Sequence, residues 1–553
     1  MSSALARRRS TCDRLCTEQF DVLVVGGGVT GAGVALDAAS RGLKTAIVDK
    51  GDWASGTSSK SSKLVHGGLR YLQQREIRLV YENLLERQRL LANAPHLVSV
   101  LPFLIPLFTK ASASGARVVA DKALVKAYSS TLNLYDFTGG LRIGKRHQRI
   151  SADETLAHMA GLAPTKVAAG FVYYDAQADD ARLTLTLIRT AEDYGAVAVN
   201  YAEVCALTKV AGKVTGVMLA DGTSVQARSV VNATGVWAAG LMELDGELTH
   251  RITPAKGVHV TVPADRLHCD IAAVVPVRSD RRSLFVVPGA ALGAPHLTYI
   301  GTTDTPYEGS LDHPTCTAAD VKYVLDGMNS WLADPLTTDD VTGTWAGLRP
   351  LLADAHSERT ADLSRRHAVV RARSNLISIL GGKLTTYRKM AEDTVDEVCA
   401  VLITKAACGT RKLGLRGSSG TAELRQEHAA LRQGVSPDVL EHLVVRHGGE
   451  ALAVLALMRT DASLGEVLVP GLTSLRAEAV FAARHEHVVH LDDVLSRRTR
   501  SLLLDRDATA LAALSVAQLI APELEWTPAD IESEVSTFIA QVDAERVSEQ
   551  ALA

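Results

Sequence analysis

Apolar positions along this chain switch between two spacings, and the switches mark its elements. Residues 21–25 and 45–48 are near-continuous apolar runs, as strands buried on both faces require. Between them residues 31–41 form a small-residue helix, so residues 20–50 read as a strand–helix–strand unit. Helical spacing of apolar residues recurs over 77–92 and 183–194. Strands follow at 198–208, 214–220 and 224–226, with Asp221-Gly222 as the hairpin turn between the last two. Residues 230–235 form a buried strand ending in a glycine turn. Further strands at 252–262, 273–277, 284–287 and 297–302 suggest a mixed or antiparallel sheet. A strand at 375–380 runs into Gly381-Gly382-Lys383 and a helix over 385–402. Residues 97–108 are the best apolar stretch, but Pro102 and Pro106 interrupt it. They read as a buried connector or as a surface dipping into a bilayer. Residues 422–540 carry helical spacing throughout, and Ser436-Pro437 is a good helix start.

Length then sets the scale. A chain of 553 residues exceeds one hydrophobic core, so two or three domains are expected. With 47% apolar and 22% charged residues the composition is that of an ordinary globular protein. A formal charge of −3 argues against a general nucleic-acid binder. The cysteines number seven, without CxxC pairs, which argues against a disulfide scaffold or zinc site and fits a reducing cytosol; no metal is expected. Residues 1–19, arginine-rich with no apolar core behind them, read as a flexible tail. No run is long enough to span a membrane. Residues 405–420 shift to Gly, Ser, Arg and Lys and read as a linker, and residues 541–553 as a second tail.

The chemistry begins at Val24-Val25-Gly26-Gly27-Gly28-Val29-Thr30-Gly31. Gly26 permits the tight turn, Gly28 lets a pyrophosphate approach the backbone, and Gly31 lets helix and strand pack closely. The helix start supplies free N–H groups to the phosphates. Asp49, about 20 residues further on, is placed to accept a hydrogen bond from a ribose. Two more loops leave strand ends, at Ala233-Thr234-Gly235 and Gly381-Gly382-Lys383. Ligands of open α/β sheets bind beyond the carboxyl ends of the strands. Three such loops along one extended cofactor favour a flavin over a nicotinamide.

The run Ser58-Ser59-Lys60-Ser61-Ser62-Lys63-Leu64-Val65-His66-Gly67-Gly68-Leu69-Arg70-Tyr71-Leu72 resembles the signature of the FAD-dependent glycerol-3-phosphate dehydrogenase family. Gly347-Leu348-Arg349-Pro350-Leu351 and Gly381-Gly382-Lys383-Leu384-Thr385-Thr386-Tyr387-Arg388 resemble its later motifs, and Leu491–Arg500 resembles the motif of its helical C-terminal domain. The resemblance spans residues 21–504. It implies an α/β fold of the glutathione-reductase type: an FAD-binding domain interleaved with a mixed-sheet substrate domain over 20–404, the substrate part roughly 95–165 and 255–345. A helical domain over 421–540 follows. It further implies oxidation of sn-glycerol 3-phosphate to dihydroxyacetone phosphate, with electrons passing to a membrane quinone. A cytoplasmic protein attached to the inner face of the cell membrane is the corresponding expectation, with an anionic lipid surface and a second copy of the chain as candidate partners.

A phosphorylated polyol needs fixed cations, because a buried phosphate is costly unless paired. Arg70, Arg349, Arg365 and Lys383 come from four segments, with Tyr71 as a hydroxyl donor. By the resemblance, Arg70 and Tyr71 hold substrate beside the flavin, Arg365 and Lys383 help with the phosphate, and Arg349 lies near the reacting carbinol. His259 matches the active-site histidine and is the candidate base. His66 could contact the flavin or orient substrate. Thr57, Ser58, Ser61 and Leu64 are expected to contact FAD by hydroxyls and backbone N–H groups. Val204 is expected on the adenine, Thr234 and Gly235 beside the cofactor, and the Gly382-Lys383-Leu384-Thr385 turn near the charge that builds on the reduced flavin. Asp49 departs from the glutamate more usual in the family. The basic runs at 365–373, 411–416 and 497–500 could sit on anionic lipid, be solvated, or, for 497–500, pack between domains. The nearest rival function is a glycerol-3-phosphate oxidase that reduces oxygen to hydrogen peroxide. A non-catalytic FAD protein and an amino-acid oxidase stand further off.

Overall fold

The uninterrupted apolar runs lie side by side. In this computed structural model, which describes residues 3–73, 76–109, 122–247, 250, 252–278, 280, 282–352, 367–426 and 428–550, Gln19–Val25 sits between Thr45–Val48 and Ser224–Asn232, parallel to both. Ser224–Asn232 pairs in parallel with Ile377–Gly381, and Thr45–Val48 with Val197–Val199. The eight-stranded sheet is completed by His367–Arg371 at one edge and an antiparallel extension, Lys213–Leu219 and Val204–Val210. Val22 and Val24 face the helices Val29–Ser40, Asp180–Asp193 and Tyr387–Leu402, while Leu23 and Val25 face Val214, Val217 and Leu15. Both faces are covered, which is why these strands do not alternate with polar residues.

A second, ten-stranded mixed sheet carries Val98–Phe108, Val167–Ala178, Ile252–Pro263, Ala272–Pro276, Ser283–Pro288, Leu297–Gly301 and Gly343–Leu352. The helix Ala318–Asn329 covers one of its faces. Residues beyond 420 are helical, with Arg476–His485, Arg506–Leu524 and Pro528–Gln550 at their centre. Among the described residues no helix is long and apolar enough to cross a membrane.

Several sequence expectations are corrected. Residues 4–17 are not a tail but a helix, Ala4–Thr17, whose N-terminus is capped by the Ser3 hydroxyl. One buried leucine, Leu15, anchors it, and Arg8 donates to the Asn200 carbonyl at 2.7 Å. Arginine forks on backbone oxygens replace the apolar stripe that a sequence reading looks for. The C-terminal tail is likewise helical to Gln550, with Phe538 and Val542 buried and Glu549 accepting from Thr344 and Arg506, each at 2.6 Å. Residues 98–108 are neither connector nor membrane surface. They form a sheet strand paired antiparallel with Val167–Ala178 over its length. Pro102 and Pro106 share a parity, so both missing N–H groups fall on one edge of that strand. The stretch 198–208 breaks at Tyr201, whose φ is +56°, and 224–226 and 230–232 belong to one strand.

The arginines at 497–500 do not face lipid. Arg497 and Arg498 bind the buried Asp52, and Arg500 binds Asp180 at 2.8 Å. Of the three readings, packing between the helical C-terminal part and the dinucleotide-type unit is the one observed. Arg411 and Arg416 are ion-paired to Glu392, Asp193 and Glu450, and Arg371 to Glu397.

Candidate active site

Because Ile377–Gly381, Ser224–Asn232 and Gln19–Val25 are parallel neighbours, their three exit loops lie next to one another. Gly26 has φ +108°, and a Cβ there would stand 2.7 Å from the Ala233 carbonyl oxygen. At Gly31 a Cβ would stand 1.8 Å from the Gly26 oxygen, so helix and turn can close only on glycine. Gly28 caps the helix from outside. Asp49 accepts from the Gly27 N–H at 2.5 Å and the Gly51 N–H at 2.8 Å. Its burial pushes the carboxyl up to about 6 despite both bonds.

These loops open on a cavity of about 1190 Å³, larger than the ~300–1,000 Å³ of ordinary ligand pockets. Its dinucleotide end is lined by Gly26, Gly28, Asp49, Val204, Thr234 and Gly235. Thr57, Ser58, Ser61, Leu64 and His66 line the middle, with Gly382, Lys383, Leu384 and Thr385 beside them. The serine and threonine hydroxyls are already engaged. Thr57 Oγ1 donates to the Leu348 carbonyl at 2.5 Å, Ser58 Oγ accepts from the Val29 N–H at 2.9 Å, and Ser61 Oγ donates to Asp180 at 2.6 Å. Thr385 Oγ1 accepts from the His66 N–H at 3.1 Å, tying the two loops together. The glycine cradle, the helix start at Gly28, the acid and the size of the cavity fit FAD.

The other wall comes from the second sheet. Ile252–Pro263 and Gly343–Leu352 are antiparallel neighbours in which His259 faces Trp345 and Gly257 faces Gly347. Side chains two apart share a face, so His259, Trp345 and Arg349 project together, with two opposed glycines leaving a flat floor between them. The His259 ring stacks on Trp345 at 4.7 Å and 9°, and its Nε2 meets Ser62 Oγ at 2.9 Å. It is 2% exposed. Burial, followed by the charges of Lys63 and Arg349, holds its basicity well below the usual imidazole range. Arg349 donates to the Thr303 carbonyl at 3.1 Å and to Thr302 Oγ1 at 3.0 Å, and pairs with Asp304 at 3.3 Å. A Cβ on Gly257 would lie 2.6 Å from the Arg349 guanidinium.

The Lys383 ammonium lies 4.0 Å from the centroid of the Tyr71 ring. Tyr71, Lys383, His259 and Arg349 therefore border one cavity. The Arg70 side chain and Arg365 lie outside the described residues. Sequence reasoning missed Ser62, Trp345, Gly257 and the Thr302–Asp304 turn. A signal existed for the glycine floor: Gly257 and Gly347 each precede a candidate side chain by two residues, the strand period.

Fold and cavity together define an oxidoreductase built around FAD. The family described as FAD dependent oxidoreductase matches residues 21–388, and the C-terminal domain of alpha-glycerophosphate oxidase matches residues 408–531. Glycerol-3-phosphate dehydrogenase 2 of Mycobacterium tuberculosis is 42% identical, covering 98% of this chain and 92% of that one. Glycerol-3-phosphate dehydrogenase of Mycobacterium leprae is 41% identical over 98% and 91%. Among solved structures, the FAD complex of glycerol-3-phosphate dehydrogenase from Bacillus halodurans superposes with a TM-score of 0.77 at 30% identity, covering 100% of both chains. The chain belongs to the FAD-dependent glycerol-3-phosphate dehydrogenase family.

Proposed function

We propose that this enzyme oxidises sn-glycerol 3-phosphate to dihydroxyacetone phosphate and passes the electrons to a membrane quinone from the inner face of the cell membrane. The observation that carries the reading is the shared face of His259 and Arg349 across the glycine floor, opposite the FAD cradle. FAD, when bound, supplies the acceptor for the hydride leaving C2 of the substrate. His259 takes the hydroxyl proton. A base must be unprotonated before the reaction, and the buried imidazole, beside two cations, is neutral at physiological pH. Arg349, braced by Thr302, Thr303 and Asp304, directs its charge at the oxygen that becomes the carbonyl. Lys383, with Arg365, binds the phosphate end, and Arg70 and Tyr71 hold the substrate beside the flavin. On this reading residues 20–404 hold cofactor and substrate, 405–420 connect, and 421–540 form the helical domain.

Anaerobic mixing with glycerol 3-phosphate, followed by the visible flavin band, tests the proposal. Rapid bleaching is expected for the native protein, severe loss for Arg349→Ala, and slowing of about 10²–10⁴-fold for His259→Ala. A native protein that does not bleach ends the substrate reading. Reoxidation by a quinone analogue, rather than by oxygen with peroxide release, separates the dehydrogenase from the oxidase.

A further inference from the structure

The loop Ser59–Lys63 is gripped on one side by buried charge and touches the candidate base on the other. Asp180, at the start of the helix Asp180–Asp193, accepts the Ser61 N–H at 2.9 Å and the Ser61 hydroxyl at 2.6 Å through one carboxylate oxygen. Its other oxygen takes the Lys63 ammonium at 3.1 Å and Arg500 at 2.8 Å. Arg500 comes from the helical C-terminal part, 320 positions further along the chain. It also donates to the Ser59 carbonyl at 2.6 Å and stands 3.4 Å from Asp179. Arg500 and Asp180 are both 0% exposed. At Lys63 the backbone turns through φ +57°, and the Lys63 N–H donates to Ser61 Oγ at 3.0 Å.

On its far side the same loop presents Ser62 Oγ to His259 Nε2 at 2.9 Å. The Ser61 carbonyl accepts from Trp345 Nε1 at 3.3 Å, and the Ser62 carbonyl from the Tyr299 hydroxyl at 3.2 Å. Trp345 is the ring on which His259 stacks. The Ser62 hydroxyl that bonds the imidazole therefore belongs to a loop whose place is fixed by Asp180 and Arg500, and the Trp345 ring that stacks on it is bonded to the same loop. We infer that Arg500, through Asp180 and the Ser59–Lys63 loop, is a positioning residue for the proton transfer at His259, with Ser62 as the contact that delivers its effect.

The energetics favour this over simple adhesion between two layers. A buried ion pair contributes little net stability, because desolvation offsets its attraction. Its main product is a fixed geometry, and here the geometry that Asp180 fixes is that of Ser61 and Lys63, the two neighbours of Ser62. Arg500→Lys retains the charge but not the fork that reaches Asp180 and Ser59 together.

The inference rests on the reading of His259 as the base, and a double-mutant cycle keeps the two apart. Arg500→Lys, Ser62→Ala and the double variant are compared, as FAD-loaded full-length protein, for the limiting rate of flavin bleaching by glycerol 3-phosphate and for the concentration giving half that rate. Each single variant is expected to slow the limiting rate about tenfold, with the half-saturating concentration changed less than twofold. The double variant is expected to be no more than about twice as slow as either single one, since both act on one contact. Rates that multiply to about a hundredfold, or native-rate bleaching by Arg500→Lys while His259→Ala is slow, overturn the inference alone. Native-rate bleaching by His259→Ala overturns the reading beneath it as well. If Arg500→Lys does not retain FAD, Ser61→Ala, which loosens the loop and leaves the Arg500–Asp180 pair in place, enters the same cycle with the same criteria.

Discussion

Gly257→Ala tests whether the bare floor between His259 and Arg349 serves the reaction. The added methyl would sit 2.6 Å from the Arg349 terminal nitrogen and 2.6 Å from Thr302 Oγ1, between two atoms now joined by a 3.0 Å hydrogen bond. Ordinary contact begins near 3.4 Å, so the guanidinium must retreat by about 0.8 Å. The atoms that move are side-chain ends, and Gly257 has no left-handed φ, so the strand itself is unstrained. Stability should fall by no more than about 1–3 kcal/mol, the cost of an overpacked methyl. A displacement near 1 Å in a positioned catalytic group slows reaction about 10²-fold, or about 2.7 kcal/mol in the barrier. Stopped-flow bleaching of the FAD-loaded variant under anaerobic conditions reads this directly, with a thermal melt alongside. In the Arg349→Ala background the same methyl should add almost nothing, because the group it displaces is gone. Native-rate bleaching by Gly257→Ala would refute the reasoning, and so would a loss that multiplies with that of Arg349→Ala.

Other outcomes follow from the charges. Glu486, held down at about 2 by Arg182 and Arg189 in spite of burial, stabilises the fold fully above its unfolded pKa near 4.3. That contribution, on the order of 3 kcal/mol, is lost as pH falls from about 4.5 through 2, and denaturant midpoints across that window should fall accordingly. Arg498→Ala leaves the buried Asp52 with Arg497 alone and should destabilise by up to about 3–5 kcal/mol in chemical denaturation. Asp49→Ala leaves the Gly27 and Gly51 N–H groups without their acceptor and should raise FAD loss on gel filtration. Because His259 is held neutral, the limiting bleaching rate should stay level on acidification past pH 6.5, where an ordinary histidine base would already have lost half its activity.

The elements most legible in the sequence were those whose apolar pattern and glycines do one job. The strand–turn–helix at Gly26–Gly31 and the three parallel strand exits could be read because buried parallel strands are apolar without alternation. Individual chemistry around His259 and Arg349 was visible through motif residues, but their shared face depended on a pairing register between segments about 90 residues apart, which no local pattern encodes. The helix Ala4–Thr17 escaped notice because it docks by one leucine and by arginine hydrogen bonds to carbonyl oxygens. The basic run at 497–500 was ambiguous for a related reason. Whether an arginine is solvated or buried is decided by carboxylates such as Asp52 and Asp180, which lie more than 300 positions away.

Those distant carboxylates bear on how the polypeptide matures. Asp52 meets its guanidinium partners only at 497 and 498, and Asp179 and Asp180 meet theirs at 446 and 500. A nascent chain that has emerged only as far as residue 404 would bury Asp52 and Asp179 without their arginine partners and leave Asp180 with Lys63 alone, or else leave the surrounding layers ajar. Synthesis of nearly the whole polypeptide must therefore precede closure of its N-terminal half, and a truncated product ending before the helical region should be an open, protease-sensitive species rather than a smaller working enzyme.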